Sequence, residues 1–275
     1  MKRLIVNTLV GRAALSVREA FGRTYSALAN PEAAGIVAND HLASFLTVRL
    51  CKSSGTFVDI GAHIGSVLAE VSRRCPSARI VAIEAMPDKA DRLRRSFPHV
   101  EVHACALSDH TGEASFYVNT KLSGYSSLGR PPGRGGEVSE IKVPLKKLDD
   151  ILAPGGVDLI KIDVEGAELG VLRGGERVIA EGRPTVMFES GPQADDGLGF
   201  SKEDLWRWLA ARDYVVLVPN RVAHDGPGLS LDGFLESHLY PRRTTNYFAV
   251  ASERRTEVRD RAREALGIRT TARDL

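Results

Sequence analysis

The sequence predicts an α/β fold in which an open, mostly parallel sheet carries helices on both faces. One observation is a strand–helix–strand unit over residues 55–84, where apolar runs at 56–60 and 79–83 flank a segment with helical spacing. A second is that short apolar runs and helical patterns keep alternating further along the chain. A third is the pair Gly61 and Gly65 between the first strand and the helix, where a ligand can approach the helix N-terminus.

The glycine loop lacks the features of a dinucleotide site. Such a site needs a further glycine because the pyrophosphate lies against the backbone, and His63 takes that position here. Asp59 opens the loop with a carboxylate that would repel a diphosphate and that suits a cationic ligand. Glu84 ends the second strand, where a carboxylate accepts hydrogen bonds from ribose hydroxyls. A nucleoside with a positive end and no phosphate fits this pattern, which predicts S-adenosylmethionine as the cofactor.

Length and composition favour one domain with additions. The chain has 275 residues, of which 43% are hydrophobic, enough for a sizeable core. Its net charge of +2, from 37 basic and 35 acidic residues, gives no overall field that would attract nucleic acid or anionic lipid. The 3 cysteines are scattered, which argues against a disulfide framework and for a reducing compartment.

Residues 1–54 are predicted to form a helical N-terminal extension. Its first residues resemble the start of a secretory signal, but Arg12 and Arg18 interrupt the apolar run too early. No segment approaches the length of a membrane span. We therefore expect a cytoplasmic protein without stable membrane insertion, with the apolar face of the extension packed on the domain or on a second copy in a homodimer.

The main domain is predicted over residues 55–252. Further strands are predicted at 100–104, 159–162, 184–189, 214–218 and 246–251, with a hairpin of 114–118 and 141–144. Five parallel strands followed by a strand pair form the seven-stranded, Rossmann-like sheet of class I methyltransferases. Residues 119–140, rich in glycine and proline, are predicted to be a mobile lid, and residues 253–275 a charged helix or tail.

Carboxylates follow the fourth and fifth parallel strands, where ligands bind in open α/β sheets. They are Asp163, Glu165 and Glu189. Clustered carboxylates can act as a general base or, as we propose for Asp163 and Glu189, supply oxygen ligands to Mg²⁺. Glu165 and Gly166 could instead cap the following helix. His238, shortly before the last strand, is an alternative base.

Five short motifs stand out in the domain. They run from Val58 to Gly65, Ile83 to Pro87, Ala106 to Asp109, Ser126 to Leu128 and Ile160 to Glu168. With these motifs the chain resembles the FkbM family of S-adenosylmethionine-dependent methyltransferases over about residues 55–189. The resemblance implies an O-methyltransferase for a hydroxyl of a sugar, an oligosaccharide or polysaccharide precursor, a glycolipid or a polyketide-type product. Two departures are His63, where the family usually has Asn, and Ala85, where Pro is common.

The cofactor is expected to lie across the first three strand ends and the edge of the fourth. The predicted contact residues are Asp59, Gly61, Ala62, His63, Gly65, Glu84, Ala85, Ala106, Leu107, Ser108 and Asp163. A dehydrogenase is disfavoured by His63. A nucleic-acid methyltransferase would need a basic, aromatic surface or an Asn/Asp-Pro-Pro-Tyr-like loop where this chain has residues 163–166. A non-catalytic cofactor-binding module would not need three carboxylates at the strand ends.

Overall fold

The structure is a computed structural model that describes residues 31–119, 126–129, 138–191, 198 and 200–268. Most of the predicted lid and the first 30 residues of the predicted N-terminal extension lie outside this part of the chain. The strands are β1 (Thr56–Ile60), β2 (Arg79–Glu84), β3 (Glu101–Ala104), β4 (Ala106–Leu107), β5 (Gly112–Asn119), β6 (Val138–Lys146), β7 (Leu159–Ile162), β8 (Thr185–Glu189), β9 (Tyr214–Leu217) and β10 (Asn246–Ala251). The helices are α1 (Pro31–Leu50), α2 (Ser66–Arg74), α3 (Pro87–Ser96), α4 (Leu148–Ile151), α5 (Glu168–Gly174), α6 (Glu176–Gly182), α7 (Lys202–Ala210), α8 (Leu231–Glu236) and α9 (Arg255–Leu266).

The main sheet has the strand order β3-β2-β1-β7-β8-β10-β9. The first five of these strands are parallel, whereas β10 is antiparallel to both of its neighbours. This confirms the predicted seven-stranded, mostly parallel, Rossmann-like sheet. The carboxyl ends of β1, β2, β7 and β8 therefore meet at one edge of the sheet. Because β10 runs in the opposite direction, the segment before it ends at the same edge.

The parallel strands are mostly apolar because helices cover both faces of the sheet. Successive side chains alternate between the faces: Val58 and Ile60 join one buried cluster, whereas Phe57 joins the other. The same division separates Ile160 from Leu159 on the neighbouring strand. All four residues of β7 are buried, so this strand lies in the centre of the core.

The predicted hairpin forms, but it belongs to a separate sheet with the order β4-β6-β5. Strands β5 and β6 are antiparallel along their full length, and β4 adds to β6 in parallel. A backbone bond of 2.9 Å from Tyr117 N to Ser127 O fixes the described segment 126–129 against β5. This small sheet thus places Phe116, Ser126 and Leu128 beside the end of β4.

Helices α1 and α9 complete one face of the main sheet. Ala43 and Leu46 of α1 share a buried cluster with Val258 and Ala262 of α9 and with residues of β8, β9 and β10. The charged C-terminal segment is thus not merely a solvated helix, because α9 buries one side. The domain boundaries near residues 54 and 252 stay predictions. None of the helices in the described part of the chain is both long enough and apolar enough to cross a lipid bilayer.

The helical segment that contains Val171 and Val178 is divided into α5 and α6. The division falls at two consecutive glycines, which lower helix propensity. A Cβ on Gly174 would lie 2.0 Å from the carbonyl oxygen of Ser108, and one on Gly175 would lie 2.9 Å from Leu148. The chain therefore passes too close to the turn after β4 for a side chain at these positions.

Candidate active site

A cavity of about 370 Å³ opens at the carboxyl edge of the main sheet. It is walled by the ends of β1, β2, β7 and β8 and by the small sheet. Its volume falls in the range of small-molecule sites. The lining residues are Ile60, Gly61, His63, Ile83, Glu84, Ala85, Lys89, Cys105, Ala106, Leu107, Phe116, Ser126, Leu128, Asp163, Val164, Glu165, Ala167 and Glu189.

The glycine loop after β1 is pressed against the neighbouring strand. Gly61 has φ 77°, and a Cβ there would lie 1.8 Å from the carbonyl oxygen of Asp163. The Gly61 amide donates to the carbonyl of Ile83 at 2.9 Å, which ties the loop to β2. His63 also adopts a left-handed conformation, with φ 51°. Glycine is thus required at position 61 by the contact with the chain after β7 as well as by any ligand.

Glu84 joins the ends of β1 and β2. It is 5% exposed. Both of its oxygens accept hydrogen bonds from backbone N–H groups: Oε2 from His63 at 2.8 Å and Oε1 from Met86 at 3.0 Å. Burial raises the pKa of Glu84, against the opposing charge of Lys89. Each carboxylate oxygen has a second lone pair, so Glu84 can still accept a hydroxyl of a ligand.

A buried ion-pair network lies beneath the glycine loop. Lys161 Nζ is 3.1 Å from Asp59 Oδ1 and 3.3 Å from Asp163 Oδ2. It also donates to the Gly61 carbonyl at 3.4 Å. Burial alone would lower the pKa of Lys161, but the two carboxylates raise it above its ordinary value. Lys161 is thus the cation that fixes β1, β7 and the loop to one another.

Asp59 does not contact the cavity directly. Its side chain is 1% exposed, and it is absent from the cavity wall. Burial raises its pKa, and the charge of Lys161 opposes that effect. The direct contact with a cationic ligand predicted for Asp59 is not supported by this placement, because its negative charge faces Lys161.

Three carboxyl groups meet over the ends of β7 and β8. Asp163, Glu165 and Glu189 each offer an oxygen within 4.8 Å of the others. Burial and the negative charge of Asp163 raise the pKa of Glu189 to about 10, and a hydrogen bond joins the two side chains. Although burial opposes it, Lys161 and the bond with Glu189 lower the pKa of Asp163. At neutral pH Glu189 is therefore protonated and donates to an ionised Asp163.

His238 lies apart from this cluster, and it does not line the cavity. Its Nδ1 is 2.7 Å from the Phe234 carbonyl, which can only accept, so Nδ1 carries the hydrogen. Nε2 then accepts from Ser190 Oγ at 2.9 Å. Burial lowers the pKa of His238 to about 4. Both ring nitrogens are thus occupied within the fold, and the structure does not bring this predicted base to the carboxylates.

Most of the predicted site residues do line the cavity. They are Gly61, His63, Glu84, Ala85, Ala106, Leu107, Asp163, Glu165 and Glu189. Three predicted contacts besides Asp59 do not line it: Ala62, Gly65 and Ser108. Several residues of the cavity wall were not among the predicted catalytic or cofactor contacts, namely Lys89, Cys105, Phe116, Ser126, Leu128, Val164 and Ala167. The sequence reasoning also missed Lys161, although a lysine inside an apolar strand is itself a signal of a buried charged partner.

The strand order, the glycine loop after β1 and the carboxylates at the ends of β7 and β8 together define a class I methyltransferase architecture. The chain belongs to the FkbM methyltransferase family, because the model of the methyltransferase FkbM domain matches residues 59–216, more than half of its length.

Several characterised proteins are similar to this chain. The methyltransferase sdnD of Sordaria araneosa is 32% identical over 157 residues, which cover 44% of this chain and 61% of that protein. The 2-O-methyltransferase NoeI of Sinorhizobium fredii is 28% identical over 152 residues, which cover 48% and 62%, respectively. A crystal structure of the methyltransferase FkbM from Methylobacillus flagellatus has a TM-score of 0.45 at 21% identity, covering 72% of this chain and 44% of that one. The chain thus spans about three fifths of the length of the first two relatives.

The ion-pair network predicts that Lys161→Met destabilises the fold by about 3–5 kcal/mol, because it leaves the buried Asp59 and the partly buried Asp163 without their cation. Chemical denaturation measures this change. A matched control is Lys142→Met in β6, where the exposed Lys142 donates to Ser115, and where the expected change is within about 0.5 kcal/mol. The double variant Asp59→Asn/Lys161→Met should cost less than the sum of the two single changes. Equal costs for Lys161→Met and Lys142→Met would contradict the network.

Proposed function

We propose that this protein is an S-adenosylmethionine-dependent O-methyltransferase whose acceptor is a hydroxyl of a sugar, an oligosaccharide or polysaccharide precursor, or a glycolipid. The observation that carries the proposal is the distribution of carboxylates within one cavity. Glu84 lies on β2, whereas Glu189 lies on β8, three strand positions away. Three strand spacings amount to roughly 14 Å. The cavity can therefore take an elongated nucleoside with the ribose at Glu84 and its charged end near Asp163.

The walls of the cavity suit the remaining parts of this cofactor. Leu107 and Phe116 supply an apolar surface for the adenine, next to the ribose position at Glu84. At the other end, Asp163 and Glu165 supply negative charge for the sulfonium group. In this arrangement Asp163 and Glu165, rather than Asp59, supply the negative charge that faces a cationic ligand.

The transfer forms a bond between the acceptor oxygen and the methyl carbon and breaks the bond between that carbon and sulfur. The cofactor leaves as S-adenosylhomocysteine, and the hydroxyl proton must pass to a base. Alignment of oxygen, carbon and sulfur supplies much of the rate. Asp163 is near the expected methyl position, but its lowered pKa makes it a weak base by itself. We therefore assign Asp163 to orient the acceptor hydroxyl and to take its proton as the oxygen–carbon bond forms, because the hydroxyl becomes far more acidic at that stage.

The cluster also fits a divalent cation. Mg²⁺ prefers carboxylate oxygens, and Asp163, Glu165 and Glu189 offer three within 4.8 Å. The raised pKa of Glu189 is also a result of how close these carboxyl groups lie, because carboxylates this close need a proton or a cation between them. Bound there, Mg²⁺ would lower the pKa of the acceptor hydroxyl.

The O-methyltransferase reading is supported by NoeI, whose name specifies 2-O-methylation. The competing acceptor is a polyketide-type natural product, and the competing role is a non-catalytic cofactor-binding module. A homodimer and a cytoplasmic location stay predictions from the sequence. Incubation with methyl-labelled cofactor and a panel of sugars, oligosaccharides and lipid extracts, followed by mass spectrometry, identifies the acceptor.

The cofactor assignment predicts micromolar binding of S-adenosylhomocysteine and no binding of NAD in calorimetry. Glu84→Ala should weaken the binding by about 1.5–3 kcal/mol through the loss of charged hydrogen bonds. Glu84→Gln keeps the side-chain volume and one accepting oxygen, so its loss should be smaller. Glu70→Ala is the control, because Glu70 is on the outer side of α2 and pairs with Arg73. Unchanged affinity in Glu84→Ala would remove Glu84 from the site.

Asp163→Asn is expected to lower turnover by about 10²-fold or more and to leave the affinity for S-adenosylhomocysteine nearly intact, because the lost interaction belongs to the transition state. Asp150→Asn, at an exposed site that pairs with Thr111, should leave turnover unchanged. EDTA tests the cation separately. Activity lost in EDTA and restored by Mg²⁺ supports a metal, whereas full activity in EDTA excludes it. Wild-type turnover in Asp163→Asn would contradict the role of this carboxylate.

A further inference from the structure

Glu168 is a buried carboxyl group that the proposed chemistry does not use. It begins α5 and is 3% exposed. It is not part of the cavity wall, although Val164, Glu165 and Ala167 of the preceding turn are. A buried carboxylate is costly unless hydrogen-bond donors compensate for the lost water. The position of Glu168 therefore requires a structural reason.

The donors are backbone N–H groups of the same turn. Glu168 Oε1 accepts from the amide of Gly166 at 3.0 Å. The amides of Val164 and of Glu168 itself also favour the ionised form of this carboxylate. Burial raises the pKa of Glu168 to about 7, and these three amides oppose that effect. Gly166 lies just before Ala167, the N-cap residue of α5, so Glu168 satisfies an amide of the turn that the helix itself does not pair.

The turn that Glu168 holds is strained. Glu165 has φ 54°, and Gly166 has φ 103°. A non-glycine residue in the left-handed region costs about 1–2 kcal/mol and persists only where surrounding contacts enforce it. The start of the turn is fixed by the Asp163 amide, which donates to the Ile60 carbonyl at 3.0 Å. Its end is fixed by Glu168.

We propose that Glu168 is a positioning residue that holds turn 163–167 in the conformation that presents the Glu165 carboxylate to Asp163 and Glu189. Without its side chain, at least the Gly166 amide loses its acceptor, and Glu165 can relax out of the left-handed region. The three-carboxylate cluster then loses one member while the sheet beneath it stays intact. The consequence for ligand binding rests on the proposed function, because the cluster is assigned there to the positive end of the cofactor.

The first measurement needs no ligand: amide hydrogen exchange of Gly166 in the full chain. In Glu168→Ala the exchange should be about tenfold faster than in the wild type, and in Glu168→Gln, which keeps one accepting oxygen, it should be intermediate. The matched control is Glu176→Ala, since Glu176 also begins a short helix but is exposed and pairs with Arg212. Unchanged exchange at Gly166 in Glu168→Ala would overturn the inference, as would equal acceleration in the control.

The second measurement compares the affinities for S-adenosylmethionine and S-adenosylhomocysteine, which differ by the sulfonium charge. A displaced Glu165 should weaken the binding of S-adenosylmethionine about 3–10-fold relative to S-adenosylhomocysteine. An unchanged ratio combined with faster exchange would reduce Glu168 to a helix cap and overturn its positioning role. A wild-type protein that binds neither nucleoside would overturn the proposed function, whereas the exchange of Gly166 would still decide whether Glu168 holds the turn. If Glu168→Ala fails to fold, Glu168→Gln decides both measurements.

Discussion

The buried contact between Lys161 and two aspartates is the interaction on which the site depends. Asp59 and Lys161 are register partners on the adjacent strands β1 and β7, so their side chains lie next to each other on the same face of the sheet. From there Lys161 also reaches Asp163 and the Gly61 carbonyl. A lysine in an apolar strand would be very costly without these partners. One side chain thus couples the glycine loop after β1 to the carboxylates at the end of β7.

The same interaction sets the charges of the cavity. The ammonium of Lys161 keeps Asp163 ionised, and an ionised Asp163 in turn keeps the proton on Glu189. The cluster therefore retains negative charge at neutral pH, at the ends of β7 and β8. Such a surface favours a cationic ligand over a phosphate. The proposed preference for a sulfonium nucleoside rests on this arrangement of partly buried carboxyl groups.

The sequence predicts the main sheet well because its strands are continuous apolar runs and its turns carry glycine. It predicts less well the features that depend on which elements become neighbours. The separation of the hairpin into its own sheet and the burial of one side of α9 against α1 are of this kind. The direction of the Asp59 side chain is another, since it follows from the register of β1 on β7. His238 was a reasonable base by residue type, but Ser190 and Phe234 occupy both of its nitrogens.

A crystal structure with S-adenosylhomocysteine tests the central claim most directly. We expect the ligand to bind in the cavity at the carboxyl edge of the sheet, with its ribose hydroxyls hydrogen-bonded to Glu84. Its sulfur should face Asp163 and Glu189, with the adenine against Leu107. A ligand bound elsewhere on the chain, or one whose sulfur points away from the carboxylates, would contradict the account.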